Sequence, residues 1–126
     1  MTPRPVLLVD DDMDIRETLR LLLEDAGYEV YVAENGREAL ELLTTSTVLP
    51  GLILLDLMMP VMTGEEMLSA LKAVNELASI PVTIVTASGA PRPKLASGLL
   101  TKPVDLDELL RIVAKHCNPG GELGLL

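Results

Sequence analysis

Five short apolar runs, at residues 6–9, 28–33, 52–55, 81–85 and 99–101, recur along the chain with hardly a polar residue inside them. Runs of that length without alternation fit strands buried on both faces, as in a parallel sheet covered by helices. Helical patterns fill the intervals. Ile15, Leu19, Leu22, Leu23 and Ala26 share one face, and Gly27 stands where a left-handed C-terminal cap belongs. Four helices open with a cap residue followed three positions later by Glu, at Asp14/Glu17, Asn35/Glu38, Thr63/Glu66 and Asp105/Glu108. This alternation predicts an α/β fold, a doubly wound five-stranded parallel sheet with helices on both faces.

Residues 86–103, TASGAPRPKLASGLLTKP, break the pattern. A fourth crossover helix belongs there, between the fourth and fifth strands, yet no capping pair introduces one. Pro93 disfavours helical geometry at Arg92 and Gly98 ends whatever begins, so residues 94–97 leave space for a single turn at about 3.6 residues per turn. The fourth helix is expected to be shortened or lost.

Composition bounds the function. A chain of 126 residues, 48% hydrophobic and undivided by any charge run or Ser-rich linker, fits one domain over residues 1–117, with a flexible Gly-rich tail at 118–126. Ten basic against nineteen acidic side chains give a net charge of −9, which repels phosphate backbones and anionic lipid heads. With no Phe or Trp there is also no aromatic platform on which bases could stack. Neither nucleic acid nor a membrane is expected as a direct partner. The single Cys117 excludes an internal disulfide framework and suits a reducing compartment. Residues 1–5 are too short for a signal peptide, and the most apolar stretch, 48–62, is interrupted by Asp56 and too short to cross a bilayer. A cytoplasmic location is the expectation.

In open parallel sheets, ligands sit beyond the carboxyl ends of the strands. Those positions hold Asp10, Asp11 and Asp12 after the first strand, Asp56 after the third, Thr86 after the fourth and Lys102 after the last. Three consecutive aspartates repel one another, and a hard cation removes the conflict; Mg²⁺ prefers oxygen ligands and keeps several waters. Taken singly, each residue has an ordinary structural account: a solvated loop capping a helix, a strand-end acid in a turn before Pro60, a β-branched strand residue, a surface lysine. Asp14 fits the cap of the first helix, which leaves Asp10 and Asp11 without a structural task. Asp10, Asp12 and Asp14 also fall on the first, third and fifth positions of an EF-hand loop, but Ile15 and Leu21 stand where Gly and Glu are required. The Asp10/Asp12 pair matches the spacing of haloacid-dehalogenase-type phosphatases. Asp14, however, stands where those enzymes usually have Thr or Val, and the chain is short for their cap domain.

The motifs VDD at 9–11, DLMMP at 56–60 with Gly64 following, TA at 86–87 and KP at 102–103 occur in this order at strand ends, over residues 5 to about 116. In this the sequence resembles the CheY-like receiver domain of response regulators in two-component signalling. The resemblance implies a flavodoxin-like strand order, 2-1-3-4-5. It implies that Asp56 takes a phosphoryl group from the phosphohistidine of a sensor histidine kinase or phosphotransfer protein, or from a small acyl phosphate. Asp10, Asp11, Asp56 and the backbone carbonyl of Met58 would then surround Mg²⁺. Lys102 would offset phosphoryl charge, and the Thr86 hydroxyl would donate to a phosphoryl oxygen and shift the loop after it. Such a chain is a phosphoacceptor in a phosphorelay rather than an enzyme with a separate substrate. It signals to an output protein, in many members through a phosphorylation-dependent dimer.

Met58 and Ser88 lie where this family varies the side chains that position attacking water. Apolar Met58 has no group to orient one by hydrogen bonding, so self-dephosphorylation is expected to be slow. Two departures stand out. Leu99 occupies the switch position, where the family usually has Phe, Tyr or His, and the interval from Thr86 to Lys102 is shorter than usual by roughly six residues, more than one and a half helical turns. The lost length falls in the fourth helix, part of the face many receivers use to dimerise or meet an effector. The alternative function is a pseudoreceiver, a phosphorylation-independent protein-binding module; the complete set Asp10, Asp11, Asp56, Thr86 and Lys102 favours the phosphoacceptor.

Overall fold

In the computed structural model, which describes residues 2–87, 89 and 91–119, five parallel strands form one sheet in the order β2-β1-β3-β4-β5. They are β1 (Val6–Val9), β2 (Val30–Ala33), β3 (Leu52–Leu55), β4 (Val82–Thr86) and β5 (Gly98–Thr101). The helices are α1 (Met13–Asp25), α2 (Gly36–Thr45), α3 (Gly64–Lys72), α4 (Asn75–Ala78) and α5 (Leu106–Cys117). Every residue of β1 and β3 is buried, as their unbroken apolar sequences require.

Successive strand residues feed two cores. Leu7, Val9, Ile53, Leu55, Val82 and Ile84 pack with α2, α3 and α4. Val6, Leu8, Leu52, Leu54, Val85 and Leu100 pack with α1 and α5. The period of two along each strand thus places helices on both faces of the sheet. Among the described residues no helix is long and apolar enough to cross a membrane.

Three of the four expected caps form where the sequence places them: Asn35, Thr63 and Asp105 each accept the backbone N–H of the Glu three residues on. At Thr63 the bond is reciprocal, because the Glu66 side chain returns to the Thr63 N–H. The fourth is corrected. Asp12, not Asp14, caps α1, accepting from the N–H groups of Asp14 and Ile15, while Asp14 lies inside the first turn. Glu17 pairs with Arg20 instead. At the other end of α1, Ala26 is exposed as the C-cap rather than part of the apolar face. Gly27 follows at φ +99°, with its N–H on the Glu24 carbonyl and the Tyr28 N–H on the Leu23 carbonyl. That second bond draws Tyr28 out of the ladder, so β2 is shorter than the apolar run from 28 suggests.

The crossover from β4 to β5 carries no helix among the described residues; before β5 it makes a tight turn in which the Ala96 N–H reaches the Pro93 carbonyl. Gly98 does not end a helix but begins β5, where a Cβ would stand 3.2 Å from Thr83 Oγ1. Sequence reading missed α4, a single helical turn after α3 whose N-cap, Val74, offers no side-chain bond. Helix α5 ends at Cys117. Of the expected tail, residues 120–126 lie outside the described residues.

Candidate functional site

β1 and β3 are the neighbours at which the strand order reverses, the place where open α/β sheets gather ligands. Their register sets Val9 opposite Leu55, so Asp10 and Asp56 leave adjacent strands side by side. Both backbones extend the ladder: the Asp10 N–H donates to Ala33 O at 3.2 Å and the Asp56 N–H to Val9 O at 3.0 Å. Both side chains are buried, at 2% and 6% exposure, whereas Asp11 points to solvent.

The Asp10 carboxylate is held at both oxygens. Oδ1 accepts the Asp12 N–H at 2.9 Å, and Oδ2 lies 3.3 Å from Lys102 Nζ. Arg16, from the first turns of α1, donates Nη1 to the Asp10 carbonyl at 2.8 Å and ties the β1–α1 loop to the helix that follows it. Sequence reading missed Arg16. Asp56 Oδ1 accepts the Met58 N–H at 3.4 Å and stands 3.8 Å from Lys102 Nζ. Lys102 is anchored by its own N–H, which donates to the Thr86 carbonyl at 2.7 Å.

Burial is the main cause that raises the Asp56 carboxyl above its ordinary range. The Asp10 charge adds to it, while Lys102 and the Met58 N–H oppose it. One oxygen each from Asp10, Asp11 and Asp56 lies within 4.8 Å of the other two. Converging oxygen donors with one member open to solvent suit a hard divalent cation that keeps part of its water, so the donor set fits Mg²⁺.

The loop after Asp56 is tightly built. The Gly64 N–H donates to the Leu57 carbonyl at 3.0 Å, and a Cβ on Gly64 would stand 2.5 Å from the Asp56 carbonyl oxygen. Val61 takes φ +69°, a left-handed conformation unusual for a β-branched residue. Met58 is 79% exposed beside this turn.

Thr86 is the last residue of β4 rather than the first beyond it; it is buried and lies in register with Thr101, one residue before Lys102. Leu99 sits in β5, half-buried against the core under α2 and α3. Ser88 lies outside the described residues.

Fold and site together define a flavodoxin-like α/β domain with a lysine-backed carboxylate cluster at its switch point. The family model of the response regulator receiver domain matches residues 6–114. A 14.6 kDa protein in the sodA1 3′ region of Leptolyngbya boryana is 41% identical, over 89% of this chain and 88% of its own length. Response regulator Rre1 of Synechocystis is 36% identical over 88% of this chain, which spans 50% of Rre1. The solved structure of the chemotaxis protein CheY4 of Vibrio cholerae superposes with a TM-score of 0.80 at 34% identity, covering 90% of this chain and 98% of that one. The chain belongs to the response regulator receiver domain family of two-component systems.

Proposed function

We propose that the chain is a phosphoacceptor of a two-component phosphorelay, in which Asp56 takes a phosphoryl group from the phosphohistidine of a sensor histidine kinase or a phosphotransfer protein. The observation that carries this reading is a buried Asp56 carboxylate grouped with Asp10 and Asp11 inside 4.8 Å, with the Lys102 ammonium 3.8 Å away. Mg²⁺ bound by Asp10, Asp11, Asp56 and the Met58 carbonyl would supply positive charge beside the phosphoryl oxygens.

The chain's own residues do the rest. An Asp56 oxygen forms the bond to phosphorus as the phosphorus–nitrogen bond of the donor breaks, and the departing imidazole keeps the electron pair. Positioning and charge dominate such a transfer, so Asp10, held at both oxygens, and Lys102, held by its backbone, act by being fixed beforehand. After transfer the Lys102 ammonium faces a phosphoryl oxygen, and the Thr86 hydroxyl donates to another. Inward movement of Thr86 would shift the loop after β4, with Leu99 repacking in β5 as an apolar switch residue. The chain acts in this reading as a switch in the cytoplasm, not as an enzyme with a separate substrate, and an output protein reads its state.

The test is incubation with Mg²⁺ and a small acyl phosphate, followed by intact-mass measurement. Wild type should gain one phosphoryl group and Asp56→Asn none. A wild type that stays unmodified would assign the chain to the pseudoreceivers, modules that keep the fold and signal without phosphate.

A further inference from the structure

Methionine sulfur is distributed unevenly around the site. Met58 is 79% exposed and Met13 64%, whereas Met59, at 7%, and Met67, at 0%, are closed off. Met58 is also part of the surroundings of Asp56, because its own N–H donates to Asp56 Oδ1 at 3.4 Å. Its thioether is a weak acceptor, with no strong hydrogen-bonding group to orient a water. Oxidation would change that property more than any other, since a sulfoxide is polar and accepts hydrogen bonds strongly.

We propose that Met58 is a peroxide-responsive modification site whose sulfoxide shortens the life of a phosphoryl group on Asp56. The inference rests on the phosphoacceptor reading above. The Met58 sulfur attacks one oxygen of hydrogen peroxide; the sulfur–oxygen bond forms, the oxygen–oxygen bond breaks, and the departing hydroxide takes the proton from the sulfur-bound hydroxyl, leaving sulfoxide and water. Sulfur is oxidised by two electrons and peroxide is reduced by two. The new oxygen, two residues past Asp56, accepts a hydrogen bond from a water and holds it for attack on phosphorus. The phosphorus–Asp56 oxygen bond then breaks, and inorganic phosphate leaves. Exposure makes the same oxidation available at Met13, but Met13 begins α1 and does not follow Asp56 in the loop.

The experiment treats the full chain with hydrogen peroxide and locates each added oxygen by tandem mass spectrometry. Treated and untreated samples are then phosphorylated with an acyl phosphate, freed of donor, and followed as the aspartyl phosphate decays. Met58 should gain oxygen well before Met67. The lifetime should shorten about fivefold, the rate equivalent of one hydrogen bond made to the attacking water. Met13→Leu should keep the response, Met58→Leu should lose it, and methionine sulfoxide reductase should restore the original lifetime. Uptake at Met58 no greater than at Met67, an unchanged lifetime in fully oxidised protein, or a response that survives in Met58→Leu would each overturn the inference alone. Absence of phosphate on the untreated chain would overturn the phosphoacceptor reading, and the inference with it.

Discussion

Burial and the neighbouring Asp10 charge push the Asp56 carboxyl up, against the Lys102 ammonium and the Met58 N–H, which pull it down. A carboxyl whose pKa is higher in the folded state contributes stability that is complete below its unfolded value and lost as pH rises through the folded one. At neutral pH without a divalent cation, ionised Asp56 therefore opposes folding. Asp56→Asn should melt at a higher temperature than wild type at about pH 7 in chelator, and the gap should close as pH falls to the ordinary, unfolded-state carboxyl pKa of about 4. Melting curves that coincide at both pH values would mean that the site stores no such conflict. Asp10, Asp56 and Lys102 were legible in the sequence because position at a strand end is itself a pattern. Arg16 was not, since its guanidinium meets a main-chain carbonyl and neither residue type nor spacing marks that bond. Asp12 and Asp14 both precede the apolar face of α1, and only the backbone separates them: Asp12 is extended, at φ −81° and ψ 110°, with its side chain on the next turn.

Elements fix the site through close approaches that leave no space for a side chain. A Cβ on Gly64 would meet the Asp56 carbonyl oxygen at 2.5 Å and Leu57 Cα at 2.8 Å, both of them backbone atoms. A Cβ on Gly36 would instead meet the flexible Met62 thioether at 3.0 Å and Met67 Cβ at 3.1 Å, neither of them a backbone atom and neither as close as the contacts at Gly64. Gly64→Ala should therefore destabilise by about 1–3 kcal/mol and slow phosphorylation of Asp56, with Gly36→Ala losing clearly less. Urea midpoints decide the first part; equal losses in the two variants would show that α3 can slide away from the loop at little cost. Elements also divide by how much of their cause is local. Capped helices and apolar strands were legible because their signals lie within a few residues, and the lack of a β4–β5 helix among the described residues because Pro93 disfavours helical geometry at Arg92. Helix α4 was not legible, for its single turn owes its place to Leu77, buried in the core, rather than to any cap.

At the scale of the whole molecule, the sheet is unequal from centre to edge. β1 and β3 are flanked by strands on both sides and buried on both faces, every residue at or below 2% exposure. β5 has one neighbour, and its Gly98 and Leu99 are half-buried while Thr101 is exposed. Where a receiver would lay a helix over this edge, the chain supplies a turn whose Ala96 is buried and whose Leu95 remains 49% exposed. Opening β5 therefore uncovers less apolar surface than opening β3, and the two strands should not unfold with the same free energy. Native-state hydrogen exchange should find the bonded amides of β5 exchanging through openings on the order of 1–2 kcal/mol smaller than global unfolding, with a weaker dependence on denaturant. Amides of β1 and β3 should exchange only with the whole domain. If β5 proves as slow as β3, the turn seals the edge as well as a helix does. If it is faster, Leu99, the switch residue of the proposed function, lies in the part of the sheet that rearranges most readily, a short reach from Lys102.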